Sequence, residues 1–218
     1  KVTIAKKARW EYDLDGIAAV GSMTAEMADF LAAIAHARLT TLIAGVTGAG
    51  KTTLLQAMSH AFDMNDRIIV VEDTPELRLP IADVVYLNYS AVRGSEDTGA
   101  VSIEWLVRQA QRMRMDRVIV GEVRGAEAYE FLLAANSGAE GSATTIHADS
   151  PRRALDKMLA LAAKGSNSTN EITLRREIAA TIDVIVQTSL IDGRHVITAI
   201  EEVSRIVNQN GQIATQTL

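Results

Sequence analysis

The 218-residue sequence contains no cysteine. Disulfides and thiolate metal sites are therefore excluded. No apolar run approaches the ~18 residues of a membrane-spanning helix; the longest lies around Met158 to Ala163. There is no signal-peptide pattern and no internal repeat. There is also no excess of positive charge. The formal net charge is -5, so bulk electrostatics gives no reason to expect a nucleic-acid coat protein. What is present is ordinary globular material, 48% hydrophobic and 22% charged, which excludes a disordered tail or a low-complexity filament. A chain of this length supports one domain with a substantial core. The first residue is Lys1 rather than Met, which suggests a piece of a longer protein.

Residues 1–21 show no clean period and carry a mixed-charge cluster from Lys6 to Asp13. They read as a linker, with room for one edge strand. Ser22 offers an N-cap, and Met27, Phe30, Leu31 and Ile34 recur at helical spacing up to about His36. Thr40 to Ala44 is a short apolar strand. A loop, Gly45 to Thr52, leads into a helix through about Ala61. Ile68 to Val71 is a buried-type strand ending in Glu72 and Asp73. Thr74 to Gly99 is irregular, broken by Pro75, Pro80, Gly94 and Gly99.

Ile103 to Met113 marks an amphipathic helix, Val118 to Val120 a strand, Ala126 to Asn136 a helix and Ser142 to Ile146 a strand. Ser150-Pro151 starts a helix to about Lys164, and Gly165 to Asn170 is a polar loop. The end changes character. Val184 to Leu190, His195 to Val203 and Gln212 to Thr217 read as strands. The pairs Asp192-Gly193 and Asn210-Gly211 between them are hairpin signals. The expected fold is α/β, a mostly parallel sheet with a C-terminal antiparallel meander.

Gly45-Val46-Thr47-Gly48-Ala49-Gly50-Lys51-Thr52 matches the phosphate-loop pattern. It follows an apolar strand and opens a helix at Thr53. The glycines let consecutive N–H groups of the loop, through Thr47 and Ala49, turn inward as an anion nest, and the helix N-terminus adds partial positive charge. Lys51 places an ammonium on the outer phosphates, and Thr52 offers a hydroxyl to Mg²⁺. A chance glycine turn is the bland alternative, and the flanking strand and helix argue against it.

Hydrolysis also needs a group to hold water and a second contact to the metal sphere. Arg117 to Val120 is an apolar strand running through Gly121 into Glu122, like a Walker B strand whose usual aspartate position holds glycine. Glu72 ends another strand in the same way. In a parallel sheet the C-terminal strand ends form the ligand edge, so Glu72, Glu122 and the phosphate loop are expected to converge there. Spacing leaves open which acid activates water and which orients the metal. His147 also follows a short strand. It either senses the γ-phosphate or bonds a neighbouring subunit, or it is a capping or packing residue before Pro151.

These segments, in this order, resemble the secretion superfamily of traffic ATPases. Gly45–Thr52, Glu72-Asp73-Thr74-Pro75-Glu76-Leu77, Asp116–Glu122 with Val123-Arg124-Gly125, and Thr144-Thr145-Ile146-His147-Ala148 are similar to that family's Walker A, Asp box, Walker B and His box. Ser150-Pro151-Arg152 and Arg112-Met113-Arg114 fit the type IV secretion and tight-adherence pilus branch. The resemblance covers about Met23 to Val203. It implies a RecA-like P-loop ATPase domain over residues 22–218, with 1–21 leading from a separate N-terminal domain. It further implies a hexameric ring at the cytoplasmic face of the inner membrane, working with inner-membrane proteins of a secretion or pilus machine.

Carried over, Gly45, Thr47, Gly48, Ala49, Gly50, Lys51, Thr52 and Thr53 bind ATP, and Thr52 and Glu122 serve Mg²⁺. Glu72, Glu122 and His147 belong to the reaction centre. Arg114 stands where related enzymes place an arginine that reaches nucleotide across a subunit boundary; Arg108, Arg112 and Arg124 are also candidates. Three departures stand out. The family's N-terminal domain is absent beyond a short lead, Met115 replaces a common proline, and the cysteine-based zinc element of type II export motors is missing. The alternative reading is an ATP-binding assembly regulator with little turnover of its own. No direct DNA contact is expected, because the arginines after Ile103 form no basic stripe.

Overall fold

The computed structural model describes residues 12–88, 101–166, 169–208 and 211–218. In chain order these form α1 (Leu14–Ala19), α2 (Ala25–His36), β1 (Thr41–Gly45) and α3 (Lys51–Met58), then a 3-10 turn, Ser59–Ala61. There follow β2 (Arg67–Glu72), β3 (Asp83–Asn88), α4 (Ile103–Ala110), β4 (Arg117–Val120), α5 (Glu127–Asn136) and β5 (Ala143–His147). The chain closes with α6 (Pro151–Gly165), α7 (Glu171–Thr181), β6 (Val184–Ile191), β7 (Arg194–Val207) and β8 (Ile213–Thr217).

One eight-stranded sheet has the order β3-β2-β4-β5-β1-β6-β7-β8. The strands from β3 to β6 pair in parallel, and β7 and β8 continue antiparallel. Side-chain alternation explains the three layers. On β2, Ile69 and Val71 enter the core formed with α4, α5, α6 and α7. Ile68 and Val70 enter the opposite core, formed with α1, α2 and α3. Strands covered on both faces read as continuous aliphatic runs, which is why β1, β2 and β4 stood out in the sequence. The β6–β7 turn is also as expected: Asp192 (φ 50°) and Gly193 (φ 74°) both take positive φ, as a type I′ hairpin requires.

Four expectations need correction. Thr24 caps α2, its hydroxyl accepting from Met27 N, in place of Ser22. Part of the expected linker is helix α1, capped by Asp13 and burying Leu14 and Ile17; α1 packs on α2 and α3 and is part of the body. The stretch read as irregular contains β3, which pairs with β2 over its whole length. Helix α7, capped by Asn170, occupies a segment read as neither helix nor strand. Residues 1–11 of the expected linker, the breakers Gly94 and Gly99, and Asn210 of the second hairpin pair lie outside the described residues; residues 12–21 hold no strand.

The edge of the sheet at the starts of β2 and β4 is held by a buried ion pair. Arg117 is fully buried. Its Nε donates to Asp66 Oδ2 at 2.6 Å, Nη1 to Gly141 O and Nη2 to Ala35 O, both at 3.0 Å. Its guanidinium lies 4.5 Å from the Phe62 ring centroid, and Asp66 is shared with Arg38. Removing one partner of such a pair leaves an uncompensated charge, at a cost of about 3–5 kcal/mol. Asp66→Ala is therefore expected to lower the thermal midpoint by on the order of ten degrees. The double variant Asp66→Leu/Arg117→Met should recover most of that loss. A double variant no more stable than Asp66→Ala would contradict this account.

Candidate nucleotide site

The phosphate loop joins the C-terminal end of β1 to α3. Gly50 is the N-cap of α3 with φ 90°, and Gly48 has φ 75°. Both lie in the left-handed region that suits glycine, and they allow the chain to turn within one loop from strand to helix. Helix α3 starts at Lys51, so Lys51 and Thr52 occupy its first turn, next to its unpaired N–H groups. Lys51 is 8% exposed. Its Nζ donates to Gly45 O at 3.0 Å and to Val46 O at 3.1 Å, so the loop closes around its own ammonium. Burial lowers the Lys51 pKa. Glu122 opposes this, while Lys157 and Arg124 add to it.

The two acids arrive as expected. Thr52, Glu72, Asp73, Gly121, Glu122 and Arg124 line one cleft. Glu72 is 4% exposed. Its Oε1 accepts from Glu76 N and Leu77 N, both at 3.1 Å, which fixes the loop after β2. Its Oε2 is buried with no hydrogen-bond partner. Burial raises the Glu72 pKa against the pull of those two backbone donors. Gly121 makes this arrangement possible. A Cβ there would stand 3.0 Å from Glu72 Cγ, so the missing Walker B aspartate side chain leaves the space that Glu72 occupies.

Glu122 bonds Arg124 Nη2 through Oε2 at 2.9 Å, and this charge raises the Arg124 pKa. The turn beyond is fixed by Glu127. Its Oε1 accepts from Arg124 N at 2.5 Å and Gly125 N at 2.7 Å.

His147 ends β5 opposite Gly45 of β1, and its Nδ1 lies 3.3 Å from Thr47 Oγ1. It touches the phosphate loop, and the cap of α6 is supplied by Ser150, so the capping alternative falls. Arg114 is not brought to this edge. It sits with φ 54° in the turn before β4, at the opposite end of the parallel strands from Gly45 and Glu122. Arg108 is held by Glu104 at 2.9 Å and by Glu130 at 2.6 Å.

Sequence reading missed one contact to the loop and one to its neighbour His147. His195, at the start of β7, places Nε2 2.9 Å from Gly48 O. Lys157 on α6 donates to His147 O at 2.7 Å. Only the hairpin register and the helix packing reveal them, since His195 lies far from Gly48 in the chain.

The site can hold phosphate by nest, helix terminus and ammonium, and it presents acids beside the Thr52 hydroxyl. Among the described residues, no three histidine or acidic side chains converge as a protein-only metal site. A hydroxyl, one or two carboxylates and substrate phosphates are the usual holders of Mg²⁺, and Thr52 and Glu122 are groups of that kind in one cleft.

The family model described as "Type II/IV secretion system protein" matches residues 2–215. The chain belongs to this family. A Mycobacterium tuberculosis protein named for conjugal transfer is 43% identical to it over 173 residues, 79% of this chain and 48% of the relative. The VirB11 protein of Agrobacterium fabrum is 39% identical over 160 residues, 72% of this chain and 46% of the relative. Among solved structures, the VirB11 ATPase of the Brucella suis type IV secretion system aligns with a TM-score of 0.73 at 29% identity, over 87% of this chain and 54% of that one. The pilus retraction motor PilT shares the fold, with a TM-score of 0.59. The chain spans about half the length of the curated relatives it matches. Among the described residues no helix is long and apolar enough to cross a membrane.

Proposed function

We propose that this chain is the ATP-hydrolysing motor domain of a secretion or pilus-assembly machine. The observation that carries the reading is the shared edge: Lys51 and Thr52 at the start of α3, with Glu72 and Glu122 at neighbouring strand ends. The fold of the VirB11 ATPase and the family membership support it. The domain then takes in α1 as well as residues 22–218.

The reaction is in-line attack of water on the γ-phosphate. The loop N–H groups and Lys51 hold the phosphates. Thr52 and Glu122 would hold Mg²⁺, which when bound neutralises phosphate charge. Glu122, its side chain 26% exposed, polarises the attacking water, and Glu72 fixes the floor of the cleft. The apolar cleft of Ile17, Leu54, Val196 and Ile197 beside Gly50 and Thr53 takes the nucleobase.

Arg114 stands on the far edge of its own sheet, so any contact with nucleotide comes from a neighbouring copy. The family and the fold shared with the VirB11 ATPase support a homo-oligomeric ring, expected to be a hexamer. We place that ring at the cytoplasmic face of the inner membrane, on membrane proteins of the machine and without direct DNA contact.

Steady-state phosphate release per subunit from Mg-ATP is expected to rise with protein concentration, and Arg114→Ala to remove the rise. Turnover independent of concentration would overturn completion of the site between copies. Nucleotide binding without phosphate release at any concentration would favour an ATP-binding assembly regulator.

A further inference from the structure

Besides Arg153, which pairs with Asp149, three cations border the phosphate loop, and two have evident roles. Lys51 lies inside the loop, and the Arg124 guanidinium is committed to Glu122 at 2.9 Å. The third is Lys157 on α6. Its Nζ donates to His147 O at 2.7 Å. No carboxylate among the described residues lies within ion-pair distance of it, because the acids around α6 are taken. Asp149 pairs with Arg153 at 2.5 Å, and Asp156 with Arg152 at 3.5 Å and Arg175 at 3.9 Å. Lys157 is partly buried and lines a cleft with Val46, His147, Ala148, Arg153 and Asp149, the last paired with Arg153.

This placement is specific. Val46 is the second residue of the phosphate loop, and His147 pairs in register with Gly45, the first. The cleft therefore borders the loop at β5, the strand between β1 and β4, while Glu72 and Glu122 line a separate cleft at the ends of β2 and β4. With no carboxylate in ion-pair range, the Lys157 ammonium is available to an anion that reaches this cleft. Its charge also bears on Lys51, so an anion at the loop is felt by both.

We propose that Lys157 is a second cation for the terminal phosphate of a bound nucleoside triphosphate, contacting it from the His147 side while Lys51 contacts it from within the loop. The proposal rests on the reading of Gly45–Thr52 as the triphosphate site. A triphosphate extends one charged group further than a diphosphate. A cation outside the loop therefore favours the triphosphate, whereas the loop N–H groups serve both. Lys157 thus contributes to the discrimination between ATP and ADP.

The test is binding of fluorescent ADP and of a fluorescent non-hydrolysable ATP analogue, with Mg²⁺, to the full chain. Lys157→Gln keeps a donor for His147 O and removes the charge; Lys157→Met removes both. Both variants are expected to weaken the triphosphate analogue at least tenfold and to leave ADP within twofold. Lys157→Arg should restore the preference to within threefold of wild type. Equal weakening of both nucleotides, or loss in Lys157→Met alone, would show that Lys157 only ties α6 to β5. Unchanged binding in every variant would equally overturn the proposal. The underlying reading fails separately, if wild type binds neither nucleotide.

Discussion

Glu122→Gln lowers phosphate release from Mg-ATP by at least about a hundredfold and leaves nucleotide affinity within a few-fold of wild type. The magnitude is that of removing a positioned base from a proton transfer, about 10²–10⁴. Glutamine keeps the length of the side chain, and its amide oxygen can still accept from Arg124, so the turn held by Glu127 stays in place. What is lost is the carboxylate that water meets.

Glu72 is the competing candidate, and the geometry separates the two. Glu72 is 4% exposed and spends one oxygen on the Glu76 and Leu77 N–H groups. Glu122 has a quarter of its side chain open to solvent and one ion-pair partner. Glu72→Gln, whose amide oxygen still accepts from both N–H groups, is accordingly expected to cost turnover less than Glu122→Gln. Single-turnover phosphate release and nucleotide binding, measured on both variants, check this. A larger fall in Glu72→Gln would move the water to Glu72. Loss of binding in Glu122→Gln would make Glu122 a structural residue.

Much of this site is local in sequence and was legible for that reason. The phosphate loop is one contiguous segment whose glycines, lysine and threonine each answer a separate physical need. Glu72 and Glu122 were placed by a rule that needs no contacts: both end apolar strands, and parallel strands present their C-terminal ends together. The misses have separate causes. Strand β3 follows Pro75 and Pro80, and those breakers masked Asp83–Asn88, whose exposed ends and half-buried middle carry no long apolar run. In α7, Leu174 and Ile178 are spaced as one helical face, but few apolar neighbours reinforce them. Thr24 capped in place of Ser22 because either residue can do so, and the choice depends on where the helix begins to pack. Arg114 is no miss: it was expected to act across a subunit boundary, and the direction of β4 puts it at the strand end opposite Glu122. His195 reaches the loop, and Lys157 reaches His147 beside it, through a hairpin and a helix that pattern alone cannot orient.

Lys51→Ala is expected to abolish measurable Mg-ATP binding and to reduce phosphate release to background. The side chain is 8% exposed and sits against two loop carbonyls, so it is already positioned where phosphate oxygens must lie. Burial, Lys157 and Arg124 all disfavour its charge, and a phosphate would relieve each of these. Deleting the ammonium removes that compensation and leaves the Gly45 and Val46 carbonyls without this donor, a cost to folding of about 1–3 kcal/mol. The fold survives a loss of that size in an ordinary domain, so absence of binding reports on the site. Lys51→Arg retains the charge, but its broader fork does not fit a position enclosed by the loop; it should bind at least tenfold more weakly than wild type. Thermal unfolding with and without Mg-ATP separates the two effects. Wild type gains stability as nucleotide binds the folded state, and Lys51→Ala should start slightly lower and gain none. An equal gain in both proteins would mean that nucleotide is held somewhere other than the loop Gly45–Thr52.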